Sequence, residues 1–254
     1  MDLKLRGKSA VVNGASQGIG FAIAHTLASE GVDVLISARK VEDIERAAQR
    51  LRGETGATIR TVVGDIRMLE GCANILAAVE AHGGVDILVN NDGAPPIGEA
   101  LEFDDLRWTR AVEQNLMSVV RMVRGVTPGM KRRGGGSIVN IAALSALQPI
   151  PKFGLSVATW AGVIGLAKTL SMELAPSNIR INTLCPGIVR TPRLDVPSVA
   201  DSTEFQELLA AIPLGRMGEP GEIAAVAAFL ASPMASYVTG TAIAVDGGSN
   251  KSLI

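Results

Sequence analysis

Short apolar runs alternate with longer amphipathic ones along nearly the whole chain. The short runs are Ser9–Asn13, Asp33–Ala38, Thr58–Gly64, Asp86–Asn90, Ser137–Ile141, Arg180–Leu184 and Ala242–Asp246. Most are rich in Val and Ile and bounded by Gly, Asp or Asn, which predicts strands. Between them, apolar positions recur at helical spacing over about 18–30, 42–55, 68–82, 104–132, 155–175 and 219–232. Gly31, just past the first helical stretch, suits a left-handed C-cap. Pro176 stops the fifth. "KRRGGGS", 131–137, closes the fourth helix and turns directly into a strand.

This alternation, with no internal repeat or low-complexity segment, predicts an α/β fold: a doubly wound parallel seven-stranded sheet (Rossmann fold) in a single domain, 1–254. The less regular stretch 190–218 is long enough to form a flap over a site and carries its own short helical pattern, Ser202–Ile212. Composition agrees: 47% apolar and 19% charged residues suit strands buried on both faces. The net charge of −1 holds no basic excess that would point to nucleic acid or an anionic membrane. Cys72 and Cys185 are expected as free buried thiols. The start, MDLKLRGKSAVV, lacks the apolar run of a signal peptide, and no run of about 18 apolar residues predicts a membrane span. The expected location is cytoplasmic. His25 and His82 fall on predicted helices and are expected at the surface, away from any site. Neither pairs with a second ligand at metal spacing, so no metal is expected.

"VVNGASQGIGFAI" places Gly14, Gly18 and Gly20 between a strand and a helix. The first glycine permits the tight turn. The others let backbone approach a pyrophosphate and let the helix pack on the sheet, so that the helix N-terminus meets the phosphates. The spacing G-x-x-x-G-x-G resembles the short-chain dehydrogenase/reductase family. Further matches follow in order: "GDI" at 64–66, "ILVNNDG" at 87–93, Asn115 in "QNLMSV", "SIVNIA" at 137–142, "IRINTLCPGIVRT" at 179–191, "PLGRMGEPGEIAAVAAFLAS" at 213–232 and "VTGTAIAVDGG" at 238–248.

The resemblance implies NAD(P) binding, hydride transfer between nicotinamide and an alcohol or carbonyl of a small-molecule substrate, and a homo-oligomer, dimer or tetramer. It implies that Gly14, Ser16, Gln17, Gly18, Ile19 and Gly20 line the phosphates, and that Asp65 and Ile66 meet the adenine. Asn91 and Gly93 would sit beside the adenine ribose and the middle of the cofactor, with Pro186, Gly187, Ile188 and Thr191 on the nicotinamide side. Two departures stand out. Asn13 occupies the family's usual threonine, and Asp92 replaces its usual alanine. The added charge at Asp92 either repels phosphate or bonds a backbone N–H. At the end of the second strand, NAD-preferring relatives place an acid where this chain has Ala38. Arg39 and Lys40 follow at once, and a guanidinium can hold a 2′-phosphate bidentately, so NADP(H) is expected over NAD(H).

The resemblance also implies a catalytic serine, a tyrosine thirteen residues later and a lysine four after that. The tyrosine exchanges the substrate proton, the lysine lowers its pKa and holds the nicotinamide ribose, the serine positions the oxygen, and an upstream asparagine keeps a water chain. Anchored by "SIVNIAA" and "AGVIGLAKTL", those positions are Ala143, Ser156 and Trp160. The only tyrosine, Tyr237, precedes the last strand. Asn115 remains, and Ser145, Ser156, Lys152 and Asp92 are candidates for a substitute acid. Bland alternatives stand beside them: Ser156 as a helix cap, Lys152 as a solvated loop charge. Trp160 either fills space beside the nicotinamide or turns into the core. Two readings follow. One is an atypical NADP(H)-linked oxidoreductase acting on a carbonyl or alcohol with non-standard catalytic residues. The other is a non-catalytic NAD(P)-binding pseudoenzyme, serving as a regulator or as a silent subunit of a mixed oligomer.

Overall fold

A computed structural model describes residues 2–192, 194 and 203–252. Among these, seven strands form one parallel sheet in the order β3-β2-β1-β4-β5-β6-β7. They are β1 (Ser9–Val12), β2 (Asp33–Ala38), β3 (Ile59–Val63), β4 (Ile87–Asn90), β5 (Gly136–Ile141), β6 (Ile179–Pro186) and β7 (Ala242–Val245). The helices are α1 (Gly18–Ser29), α2 (Val41–Thr55), α3 (Leu69–Ala81), α4 (Asp105–Val112), α5 (Ser118–Arg132), α6 (Gly154–Leu174), α7 (Thr203–Ala210) and α8 (Pro220–Ala231). The predicted α/β sheet and its seven strands are thus observed. The order reverses between β1 and β4, so the carboxyl ends of those strands open a crevice where such sheets bind ligands.

Local sequence explains the ends of these elements. α1 stops where Gly31 takes a positive φ of 81°. α2 carries Glu42 and Asp43 in its first turn and Arg52 in its last, and closes on left-handed Gly56. α8 opens on Pro220 behind a reciprocal capping box of Glu219 and Glu222. One face of the sheet packs Ala10, Val12, Ile36 and Val89 against Ile23 and Leu27 of α1, Ile44 and Leu51 of α2 and Ile223 of α8. The other packs Val11, Leu35, Leu88 and Ile138 against α3, α5 and α6. Each such Leu or Ile contributes about 1.5–3 kcal/mol by leaving water.

A row of polar side chains crosses the carboxyl end of this otherwise apolar sheet. The Ser37 hydroxyl donates to Asn13 Oδ1 (2.8 Å), Asn13 Nδ2 to Asn90 Oδ1 (3.4 Å), and Asn90 Nδ2 to Asn140 Oδ1 (2.9 Å). Thr183 of β6 lies opposite Asn140 in the strand register. Asn13 thus joins the row through both ends of its amide, accepting from Ser37 at the oxygen and donating to Asn90 from the nitrogen.

Two expectations change. The helix predicted over 104–132 is interrupted, because Glu113–Met117 form a π turn between α4 and α5. Gly154–Ser177 is long and apolar enough to cross a membrane by length and composition, although it contains no unbroken apolar run. Its Ala, Gly, Ser and Thr residues keep the average high. In this fold it runs along β6, burying Leu155, Trp160, Val163, Ala167 and Leu174. The stretch expected as a flap, 190–218, lies in part outside the described residues, as does Ser202. The short helix expected there is α7, Thr203–Ala210.

Candidate active site

The glycine loop between β1 and α1 is shaped by backbone contact. Gly14 has a φ of 60°, and a Cβ there would lie 2.6 Å from the Asn91 carbonyl oxygen. A Cβ on Gly20 would fall against the Gly14 carbonyl oxygen and 2.7 Å from Asn91 Nδ2. Asn91 fastens the arrangement by donating from Nδ2 to the Gly14 carbonyl (3.1 Å). The first turn of α1 thus opens onto a loop free of side chains at its closest points. Ser16 and Ile19 are half-buried around it and Gln17 is exposed. Such a helix N-terminus can hold phosphate.

The far wall comes from the end of β6. Pro186 ends the strand, and the Gly187 N–H donates to the Val245 carbonyl (3.0 Å). Ile188 and Arg190 bond the backbone of Gly218 at 2.9 and 2.8 Å, tying this turn to the "GRMGEPGE" segment. Arg190 also pairs with Glu219 (3.0 Å). The Thr191 methyl reaches across to the Gly18 backbone. Gly18 and Thr191, 173 positions apart in sequence, therefore face each other across one crevice.

At the other end, Arg39 is exposed just past β2, and its guanidinium pairs with no carboxylate among the described residues. Ile66 is buried. Asp65 is engaged by Arg67, Oδ1 with Nε at 2.9 Å and Oδ2 with Nη2 at 2.6 Å. That bond, above all, holds the Asp65 carboxyl below the ordinary carboxylate range. Sequence reasoning missed Arg67. The signal was the basic residue two positions after Asp65.

A small recess sits deeper, lined by Asn91, Asp92, Gly93, Gln114, Asn115 and Trp160 among others. The π turn aims side chains into it. Gln114 donates to the Gly93 carbonyl (2.5 Å), and Asn115 Nδ2 to Thr159 Oγ1 of α6 (2.8 Å). A widened turn of this kind commonly marks a functional position in a helix. Asp92 Oδ2 is shut from solvent with no hydrogen-bond partner. Burial pushes this carboxyl up to about 6, against the opposing pull of the Gly93 N–H and the charges of Arg67 and Arg39. Of the two consequences weighed for Asp92, the bond to a backbone N–H is seen here, with Gly93.

The three positions expected to align with the family's serine, tyrosine and lysine lie on the turn after β5 and on α6, and Ala143 packs against the cluster that holds Trp160. Ala143 precedes a 3-10 turn after β5, and Ser156 and Trp160 lie on α6. Trp160 is 9% exposed and turns into a small cluster with Ala142 and Cys185, its edge closing the recess. The Ser145 hydroxyl is buried without a partner. Ser156 is buried as the third residue of α6, where Phe153 is the cap residue, so the capping role considered for Ser156 does not hold. Lys152 is exposed on the preceding turn in a left-handed conformation, φ 67°. Tyr237 is fully exposed.

His25 departs from expectation. α1 presents it toward α2, where it meets Glu54 at 3.3 Å. It lines a cleft of about 540 Å³ that begins at the outer side of Ser16, Gln17 and Gly18, and so lies beside the glycine loop. Among the described residues, no group of three His, Cys, Asp or Glu side chains is placed to hold a metal ion. Both cysteines are free and buried, and burial pushes the Cys185 thiol up to about 12.

Known proteins resemble this arrangement over its full length. A family profile described as enoyl-(acyl carrier protein) reductase matches residues 14–250. Dehydrogenase/reductase SDR family member 4 of Bos taurus is 37% identical over 247 residues, covering 96% of this chain and 88% of the relative. Among solved structures, L-sorbose reductase from Gluconobacter frateurii, complexed with NADPH and L-sorbose, superposes with a TM-score of 0.94 at 35% identity, covering 100% of both chains. YwfH, an NADPH-dependent reductase involved in bacilysin biosynthesis, does so with a TM-score of 0.92 at 32% identity, covering 97% of this chain and 99% of that one. Glycine loop, sheet order and full-length similarity lead to one conclusion: the chain belongs to the short-chain dehydrogenase/reductase family of oxidoreductases.

Proposed function

We propose that this protein is an NADP(H)-linked oxidoreductase acting on a carbonyl or alcohol, with a proton donor other than the family's tyrosine. The observation that carries the reading is the pairing of a side-chain-free phosphate cradle at Gly14 and Gly20 with an unpaired guanidinium at Arg39. These residues fit NADP(H). The loop and α1 N-terminus would take the diphosphate, and Arg39 the 2′-phosphate, with no acid at Ala38 to compete. Ser16, Gln17, Gly18 and Ile19 would complete the phosphate loop. Asp65 and Ile66 would border the adenine, Asn91 and Gly93 the ribose. Pro186, Gly187, Ile188 and Thr191 would wall the nicotinamide end, with the segment 190–218 as a flap. The NADPH found with the sorbose reductase structure supports this choice of cofactor.

When bound, the nicotinamide supplies or accepts a hydride. The chain's own task is to orient the substrate and manage the proton. At the three aligned positions it offers Ala143, Ser156 and Trp160. Ser145 and Ser156, both buried, are proposed to hydrogen-bond the reacting oxygen, and Asn115 to fix the site through Thr159. Lys152, exposed on the turn before α6, is proposed as a further proton source. A hydroxyl without an activating base is a weak acid, and losing positioned proton transfer costs about 10²–10⁴ in rate. Substrates activated at the carbonyl are therefore favoured. The second reading, a nucleotide-binding protein without turnover, is favoured by the same three residues, since none of them supplies a strong acid.

Calorimetric titration with NADPH and NADH, followed by a carbonyl screen for NADPH oxidation, tests both. NADPH is expected to bind more tightly than NADH, and Arg39→Ala to weaken NADPH alone by roughly 10- to 100-fold, the worth of a charged hydrogen-bonded contact. Equal affinities for the two dinucleotides overturn the assignment of Arg39. Tight binding with no turnover on any carbonyl selects the second reading.

A further inference from the structure

Asp92 is a buried acid with one oxygen that has no hydrogen-bond partner among the described residues. It follows Asn91, whose amide is bonded to the glycine loop, and its carboxyl lies in the recess that Asn91 also lines. Its Oδ2 is closed off from solvent and bonded to nothing among the described residues. Charged groups face it from two elements. Arg39 comes from the end of β2, and Asp65 and Arg67 come from the turn between β3 and α3, but Arg67 is committed to Asp65. Across the recess the π turn and α5 present Gln114, Asn115 and Ser118, all uncharged, and α6 presents Trp160. Glu113 of the same turn is paired with Arg121 (2.6 Å).

An ionised carboxylate in such a position is held weakly. Two phosphates brought to the glycine loop and a third to Arg39 add negative charge nearby and draw off the field of the one uncommitted cation. Both effects favour the neutral carboxyl. We propose that Asp92 takes up a proton from solvent when an anionic dinucleotide enters, so that cofactor affinity and protonation of this one side chain are coupled. The inference rests on the cofactor reading above. Linkage makes the coupling reciprocal: whatever the dinucleotide does to proton affinity, the proton does to dinucleotide affinity. The direction follows from the sign of the charges. Affinity is highest where Asp92 is already neutral and falls as the pH rises. The ordinary value of this carboxyl is displaced upward to about 6, which places the change near neutrality.

The experiment is calorimetric titration of NADPH into the full chain between pH 6 and 8, in two buffers of different ionisation enthalpy, with the Asp92→Asn variant alongside. The wild type is expected to take up a proton on binding near pH 7 and to lose roughly tenfold in affinity from pH 6 to pH 8. Asp92→Asn should show a flatter profile and no proton uptake, leaving only the proton release of the ligand's own 2′-phosphate as Arg39 favours its dianion. NADH lacks that phosphate, so with it the wild-type uptake should persist and the variant's release should vanish. Asp92→Ala, which installs the family's usual residue, serves the same comparison if the asparagine variant does not fold. Equal proton uptake by wild type and variant overturns the proposal. Failure of either dinucleotide to bind the folded wild type at any pH overturns the cofactor reading instead, and this inference with it.

Discussion

Asp92 also bears on the stability of the chain without ligand. Its carboxyl sits at about 6 in the folded chain against an ordinary 3.8, so the folded state holds the proton more tightly than the unfolded one. The carboxyl is therefore harmless at pH values below 3.8 and increasingly destabilising as the pH rises through about 6. Asp92→Asn is expected to stabilise the protein by about 1–3 kcal/mol at pH 7.5 and by much less at pH 4.5, read as the change in Tm at each pH. A gain independent of pH would assign the effect to packing. The charge at this position was visible in the sequence, whereas its burial was not, because burial depends on Gln114, Asn115 and Trp160 arriving from distant elements. The same holds for Asn13, whose neighbours Ser37 and Asn90 are brought to it by strand pairing alone. Gly14 and Gly20 were legible from their spacing in one loop, although the residue that crowds both, Asn91, comes from just past the end of β4.

At the scale of elements, strands and helices were legible to within a residue or two, because each carries its own periodicity and punctuation. The π turn was not. Its two flanking helices each keep a 3.6-residue repeat, and one extra residue between them leaves the overall pattern helical. Yet this turn puts Gln114 and Asn115 on the recess. Opposite it, α6 presents Ser156 and Trp160, and introducing the serine, tyrosine and lysine of the family pattern tests the proposal of a different proton donor. Ala143→Ser, Ser156→Tyr and Trp160→Lys together are expected to raise reduction of simple ketones by roughly 10²–10⁴. The change also removes an indole packed on Ala142 and Cys185, at a cost of about 3–5 kcal/mol, so a lowered Tm should accompany the gain. A folded, cofactor-binding triple variant with no gain would mean that the pocket has been reshaped along with its acid.

At the scale of the whole molecule, α6 has a second face. Ala158, Ala161 and Gly165 are exposed along it and Gly162 is half-buried, so a backbone could approach closely there. We propose this face as a contact between two copies of the chain, and expect a dimer or tetramer by light scattering at micromolar concentration. Ala161→Glu should shift the protein toward monomer, and a wild-type monomer would remove the proposal. The overall architecture was the most legible level of all, since alternation of strand and helix leaves few ways to connect a parallel sheet.

The polar row that crosses the sheet from Ser37 to Asn140 has a consequence for how the chain assembles. Apolar strands are nearly interchangeable partners, and most of the hydrophobic energy survives if two are transposed. Amides are not so forgiving. Each of Asn13, Asn90 and Asn140 finds its neighbour only when β2, β1, β4 and β5 lie side by side in that order and at the same height. A transposed or slipped strand would strand several amide groups against leucine and valine, at about 1–3 kcal/mol apiece. The row therefore acts as a proofreader, rejecting compact but misthreaded sheets whose apolar layers alone would have been accepted.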